Sequence, residues 1–96
     1  MVKAVLMNSN DNVATLLADV EAGGSVTVIL TNGKMQSEVR AKQRIPFGHK
    51  ISITDIGIGH KIFKYGEVIG EATQPIASGD HVHIHNIKSM TWGKFG

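Results

Sequence analysis

The sequence predicts a small all-β domain built from short strands and tight turns. Its 96 residues include 11 glycines but only two prolines, and the glycines recur between short runs rich in Val, Ile and Thr. This spacing is typical of short strands joined by glycine-containing turns. A chain of this length can bury only a modest core, which leaves little room for a deep catalytic cavity. The size therefore favours a part of a larger assembly over a complete enzyme.

The segment that starts at Asp11 has two interpretations. Asp11 could cap a helix, because the apolar residues that follow have the i, i+3, i+4, i+7 spacing of one helix face. Those residues are Val13, Leu16, Leu17 and Val20. The same stretch could instead be a short strand over residues 13–15 followed by a turn. Periodicity alone favours the helix.

Strands are indicated more clearly in the rest of the chain. Residues 26–30 are rich in β-branched side chains and are a good strand candidate, and Asn32-Gly33 after them is an Asn-Gly hairpin signal. Residues 36–45 alternate well enough to pair with that run. Residues 68–69 and 81–87 are further strand candidates.

A short motif occurs three times. Residues 18–23, 53–59 and 73–79 each place an aliphatic residue a few positions before a glycine. We interpret each copy as a turn in which the aliphatic side chain anchors the loop and the glycine takes a positive φ. The motif is too short for a solenoid repeat and is typical of a compact all-β domain.

Composition argues against several classes of protein. The absence of cysteine excludes disulfides, thiolate ligands and cysteine nucleophiles. No apolar run approaches the ~20 residues of a membrane helix. The first residues also reach Asn8 too soon for a secretory signal, so we expect a cytoplasmic protein with no membrane partner. Arg40, Lys42 and Arg44 alternate, but no aromatic platform or dense basic cluster accompanies them, so no nucleic-acid partner is expected.

The densest group of potential ligands lies in residues 81–86, where His81, His83 and His85 alternate with Val82 and Ile84. On a strand the three imidazoles would share one face at intervals of about 6.6 Å, and the aliphatic pair would anchor the other face. Neutral imidazole is a common ligand of divalent metals, and a His-x-His pair can bind one ion. The alternative is an exposed strand face whose histidines only titrate near neutral pH.

Two shorter segments carry further polar groups. Lys64-Tyr65-Gly66-Glu67 could hydrogen-bond a polyhydroxylated acid or supply acid–base groups. It could equally be a hairpin turn with charged ends. Gly48-His49-Lys50 places an imidazole and a cation at a turn, where they could bind a carboxylate or phosphate or simply lie on a surface loop.

Four motifs in order along the chain match one family. They are DNVA at residues 11–14, IPFGHKI at 45–51, KYGEVIGEAT at 64–73 and GDHVHIHN at 79–86. Together they resemble the SAF domain of the altronate and galactarate dehydratases, the UxaA family. The resemblance implies an all-β, β-clip (SAF-like) fold over residues 1–88, with residues 89–96 as a C-terminal tail. It also favours the strand over the helix after Asp11.

The resemblance further implies a lyase function. Members of the family dehydrate sugar acids such as altronate or galactarate with a divalent metal, usually Fe²⁺ or Mn²⁺. In fused members this domain precedes a much larger catalytic domain, so the expected partner is a large catalytic lyase subunit, without which the chain would have little or no activity. A sulfolactate sulfo-lyase-type α subunit and a non-catalytic SAF ligand-binding module are the alternatives. A homodimer that closes exposed strand edges is a further possibility.

Matched positions take their candidate roles from the resemblance. The catalytic candidates are Lys64, Tyr65 and Glu67. The candidates for binding the sugar acid are His49, Lys50 and Asn86, and the candidates for binding the metal are His83 and His85.

Overall fold

The computed structural model describes residues 2–89, which form nine β-strands and no helix. The strands are β1 (Val2–Leu6), β2 (Val13–Leu16), β3 (Ser25–Leu30), β4 (Met35–Arg40), β5 (Lys50–Ser52), β6 (Lys61–Lys64), β7 (Glu67–Ala72), β8 (His81–Val82) and β9 (Ile87–Ser89). The predicted all-β fold is confirmed. With no helix in this range, none of the described residues supplies a membrane-spanning helix. All but the first residue of the predicted tail, 89–96, lies outside the described residues.

The strands form two sheets. One has six strands in the order β4-β3-β1-β2-β5-β8, and the other has three in the order β6-β7-β9. The β1–β3 pair is parallel, and the other ladders between these strands are antiparallel. The predicted β3–β4 hairpin is confirmed, with Gly33 at φ 89° donating its N–H to Leu30. The second strand of this hairpin, β4, ends at Arg40, whereas the prediction extended it to residue 45.

The segment after Asp11 is the strand β2, so the helix favoured by periodicity is wrong. The reason is that β2 lies between two hydrophobic cores. Ala14 and Leu16 belong to the larger core, whereas Val13 belongs to the smaller core. A strand buried on both faces loses its period-two alternation, and its apolar residues then imitate helical spacing. Burying each Val or Leu side chain here contributes about 1.5–3 kcal/mol.

Four turns of one design, not three, organise the fold. Turns 1 to 4 span residues 20–24, 45–49, 56–60 and 76–80, and each starts with a buried aliphatic residue followed three positions later by a positive-φ glycine. In each turn the last residue donates its N–H to the carbonyl three positions earlier. The predicted interpretation of the motif is therefore confirmed, and turn 2 is the copy that the sequence motif missed.

The four turns associate in two equivalent pairs. Val20 of turn 1 forms a two-bond antiparallel bridge with Ile45 of turn 2, and Ile56 of turn 3 forms the same bridge with Ile76 of turn 4. An aspartate before the first turn of each pair accepts an N–H from the second. Asp19 accepts from Phe47 at 2.7 Å and Asp55 from Ser78 at 2.9 Å. The domain is therefore internally duplicated at the level of its turns.

Two polar side chains at the start of β2 attach the smaller sheet to the larger. The Asn12 amide accepts an N–H from Phe63 at 2.8 Å and donates to the carbonyl of Lys61 at 3.0 Å. The buried Asp11 carboxylate accepts N–H groups from Asn8, Tyr65 and Gly66 at 2.8 to 3.1 Å. Asp11 thereby fixes the turn between β6 and β7 against the first sheet.

Asp11→Asn should destabilise the domain by about 2–3 kcal/mol, because an amide has one acceptor oxygen where the carboxylate uses two, and its NH₂ would face a backbone N–H. Urea unfolding followed by circular dichroism measures this loss. Asp55→Asn is the matched control, since Asp55 is exposed and accepts one N–H, and it should cost less than about 1 kcal/mol. Equal losses in the two variants would contradict the role given to Asp11.

Candidate metal and substrate site

Three histidines from two separate segments converge on one side of the six-stranded sheet. His49 lies just before β5, and His81 and His83 lie in and just after β8, which is the neighbour of β5. One ring nitrogen from each lies within 4.8 Å of the others. His49 Nδ1 is 2.9 Å from His81 Nε2, and the His49 and His83 rings stack with centroids 4.5 Å apart. We call these three residues the histidine cluster.

Turn 2 positions His49. Gly48, at φ 85°, donates its N–H to Leu16 of β2, and Leu16 donates its own N–H to His49. The Asp19 carboxylate accepts the N–H of Phe47, two residues before His49. The imidazole therefore projects from a backbone that is fixed on both sides.

Asn86 positions the other two histidines. Its buried side-chain amide accepts the N–H of His83 at 2.9 Å and donates to the carbonyl of His81 at 2.8 Å. These bonds close residues 83–86 into a turn. The turn holds His83 next to His81, with ring centroids 5.4 Å apart.

The predicted continuous strand over residues 81–87 is wrong. β8 ends at Val82, residues 83–86 form a bend and turn, and β9 starts at Ile87. Val82 is buried as expected, but Ile84 is 82% exposed and does not anchor the strand. The physical cause is Asn86, because asparagine side chains that bond the nearby backbone compete with a strand ladder.

The structure groups His83 with His49 and His81 rather than with His85. The His85 ring centroid is 5.3 Å from that of His81, but His85 is not part of the three-nitrogen group. His49, which the resemblance suggested for substrate, and His81, which the sequence placed among the potential ligands but the resemblance did not carry over, thus have the geometry of ligands. Metal binding by His83 and His85 stays a prediction.

Lys64, Tyr65 and Glu67 lie at the β6–β7 hairpin. Tyr65 has φ 61° and Gly66 has φ 75°, the two positive values that a type I′ turn requires. Tyr65 is the one non-glycine residue with positive φ in the described range. Its ring is exposed, and Lys64 Nζ lies 5.2 Å from its centroid. The hairpin-turn interpretation is right for the backbone, and the catalytic roles of these side chains stay predictions.

The charge environment connects this hairpin to the histidine cluster. Partial burial, and then the charge of Lys64, lower the pKa of the Lys50 ammonium. Burial first, and neighbouring imidazoles second, lower the pKa of His81 to about 4, and the same causes lower the pKa of His83. Imidazoles with lowered pKa values stay neutral at physiological pH, which is the form that binds metals.

An open cavity of about 420 Å³ lies elsewhere, between turn 3 and β6. Its lining includes Asn12, Asp55, His60 and Phe63, and it contains none of the predicted site residues. The three residues of the histidine cluster are each half-buried and do not line this cavity.

Fold and site together define a small all-β module that presents imidazole and ammonium groups on one face. The chain belongs to the altronate/galactarate dehydratase SAF domain family, whose family model matches residues 2–90. The family suggested by the four sequence motifs is therefore confirmed.

Relatives of the chain fall into two groups. It is 34% identical over 89 residues to the α subunit of (2R)-sulfolactate sulfo-lyase from Chromohalobacter salexigens, covering 92% of this chain and 95% of that subunit. It is 39% and 33% identical over 85 residues to altronate dehydratases from Escherichia coli K12 and Bacillus subtilis 168. Each of those alignments covers 88% of this chain but 16% of the dehydratase. The same module thus forms nearly all of a lyase subunit and about one sixth of a dehydratase.

Proposed function

We propose that the chain is the small subunit or N-terminal domain of a metal-dependent sugar-acid dehydratase of the altronate/galactarate type. The observation that carries this proposal is the convergence of three imidazoles in a domain of this family. The relatives in which the module is one sixth of a dehydratase support a large catalytic polypeptide as its partner. The chain then contributes part of an active site and has little or no activity alone.

The histidine cluster suits a divalent ion of the kind the family uses, Fe²⁺ or Mn²⁺. His49, His81 and His83 would hold it, because their nitrogens are close enough to share one ion and two of the rings have lowered pKa values. When bound, such an ion would supply positive charge that stabilises the negative charge built up during dehydration. Asn86 positions these ligands, and its contact with substrate, like those of His49 and Lys50, stays a prediction.

Residues around the cluster suit the organic part of a sugar acid. Lys50 and Lys64 are close enough for the charge of one to lower the pKa of the other, and together they attract a carboxylate. Dehydration removes a proton from the α carbon and expels the β hydroxyl with a proton, so it needs a base and an acid. Lys64, Tyr65 and Glu67 are the candidates that the chain offers for these two tasks.

The test is to assemble the chain with the large polypeptide and to assay formation of 2-keto-3-deoxy acids from altronate and galactarate with Fe²⁺ or Mn²⁺. We expect turnover from the assembly and less than about 1% of that rate from either part alone, since loss of positioned acid–base and charged groups costs 10²-fold or more. Full activity of the large polypeptide alone would contradict the proposal.

A second candidate is a sulfolactate sulfo-lyase-type α subunit, which the 95% coverage of the Chromohalobacter salexigens subunit favours. The same assembly given sulfolactate would then release sulfite, with no product from the sugar acids. Failure of both substrate classes would leave a non-catalytic SAF module as the better account. The cytoplasmic location and the homodimer expected from the sequence stay predictions.

A further inference from the structure

We infer that the exposed apolar side chains beside the histidine cluster form the surface on which the large catalytic polypeptide docks, so that the cluster lies at the junction. We call this surface the docking face and define it by Leu17, Phe47 and Ile84. The inference rests on the proposed function for the identity of the partner. The residues that form the surface are assigned by the structure.

Of the five large apolar side chains that are exposed among the described residues, three lie within two residues of a cluster histidine or next to a residue bonded to turn 2. Phe47 is 65% exposed two residues before His49, and Ile84 is 82% exposed directly after His83. Leu17 is 47% exposed and follows Leu16, whose backbone is bonded to turn 2. Large apolar side chains grouped on a surface are typical of interaction sites, whereas single ones need no explanation.

The turns that present these side chains are rigidly held. Phe47 is in turn 2, where Asp19 bonds its N–H and turn 1 pairs with its neighbour Ile45. Ile84 is at the tip of the turn that the Asn86 amide closes. Docking on a surface whose backbone is already fixed costs little conformational entropy, so these side chains are suited to serve as anchors.

The incomplete coordination of the cluster indicates which partner fits. Among the described residues, the group of possible ligands consists of three histidines and includes no carboxylate. A catalytic metal site with three protein ligands keeps positions open for other ligands. Substrate and further catalytic groups must therefore approach from this face. In the altronate dehydratases, the polypeptide outside this module is more than four fifths of the protein and is the body available to supply them.

The chain supplies a matched control for a test. Ile58 is 63% exposed and occupies in turn 3 the position that Phe47 occupies in turn 2, two residues after the bridging isoleucine. Turn 3 contributes no residue to the histidine cluster. Because the sequence contains no cysteine, Phe47→Cys, Ile84→Cys and Ile58→Cys each introduce the chain's one thiol.

The experiment measures the rate at which N-ethylmaleimide alkylates each thiol, by mass spectrometry, in the chain alone and in its assembly with the large polypeptide. We expect the rate to fall at least about tenfold at positions 47 and 84 and to change less than about twofold at position 58, because the centre of an interface excludes solvent. Phe47→Ser and Ile84→Ser should also raise the Kd for the large polypeptide about tenfold or more, with Ile58→Ser unchanged.

The inference is overturned if assembly changes the alkylation rate by the same factor at all three positions, or if the large polypeptide does not bind. The outcomes also separate the inference from the proposed function. Protection of positions 47 and 84 in an assembly that turns over no sugar acid supports the docking face and contradicts the dehydratase. Turnover of a sugar acid without protection of positions 47 and 84 supports the dehydratase and contradicts the docking face.

Discussion

Gly79→Ala is expected to lower the free energy of unfolding by more than about 4 kcal/mol, whereas Gly23→Ala should cost about 1–2 kcal/mol. The two glycines occupy the same position in turns 4 and 1, with φ of 93° and 84°. A Cβ at Gly79 would lie 2.1 Å from the carbonyl oxygen of Arg40, while a Cβ at Gly23 would have nothing within 4 Å. The difference between the variants therefore isolates the steric term from the cost of a positive φ.

The hydrogen bonds around Gly79 make relief of this clash costly in free energy. The N–H of Gly79 bonds to Ser52 and its carbonyl accepts the N–H of Lys42, so the backbone is held on both sides. Urea unfolding of the two variants and the wild type, followed by circular dichroism, gives the losses directly. Similar losses for the two variants would show that Gly79 has room to move.

His49→Ala and His83→Ala are each expected to weaken binding of a divalent ion by at least about 100-fold. The estimate follows because losing even an outer hydrogen-bond partner of a ligand costs 10–100-fold, and these residues would be direct ligands. Titration of the chain with Mn²⁺ or Zn²⁺ by calorimetry measures the affinity. Circular dichroism spectra of the variants confirm that the fold is retained.

Two other histidines serve as controls for this loss. His60 occupies in turn 3 the position of His49 in turn 2, and His60→Ala should leave the affinity within about twofold, since no ligand is lost. His85→Ala distinguishes the cluster from the pair suggested by the sequence. A loss with His85→Ala as large as that with His49→Ala would favour the pair His83 and His85 over the cluster.

Local features of the fold could be predicted from the sequence because short-range rules decide them. Asn32-Gly33 specifies a hairpin through its own backbone preferences, and the glycines of turns 1, 3 and 4 mark positive φ. The segment after Asp11 could not be resolved by pattern alone, because burial on both faces of β2 depends on a second core that comes from later in the chain.

The site shows the same division between local and distant information. The alternating histidines identified His83 as a candidate, but the partner of His81 is His49, 32 residues away in sequence. That contact depends on the pairing of β5 with β8, which no local pattern encodes. The turn closed by Asn86 was predictable in principle, since asparagine favours such turns, but the alternating apolar residues indicated a strand instead.

Because the turns are duplicated, the turns that only support the backbone are separate from those that carry the histidines, which is useful for engineering. Turn 2 ends at His49 and turn 4 leads directly into His81, whereas their bridged partners, turns 1 and 3, supply the same backbone support without a cluster residue. In turn 1 the residues Ala22 and Gly23 are exposed. An insertion between them would break the bond from Gly24 N–H to the Glu21 carbonyl, but a label attached through a single cysteine at position 22 would keep that bond and the one from Gly23 to Ala41. The module thus carries its own attachment point on a turn separate from those that present the ligands.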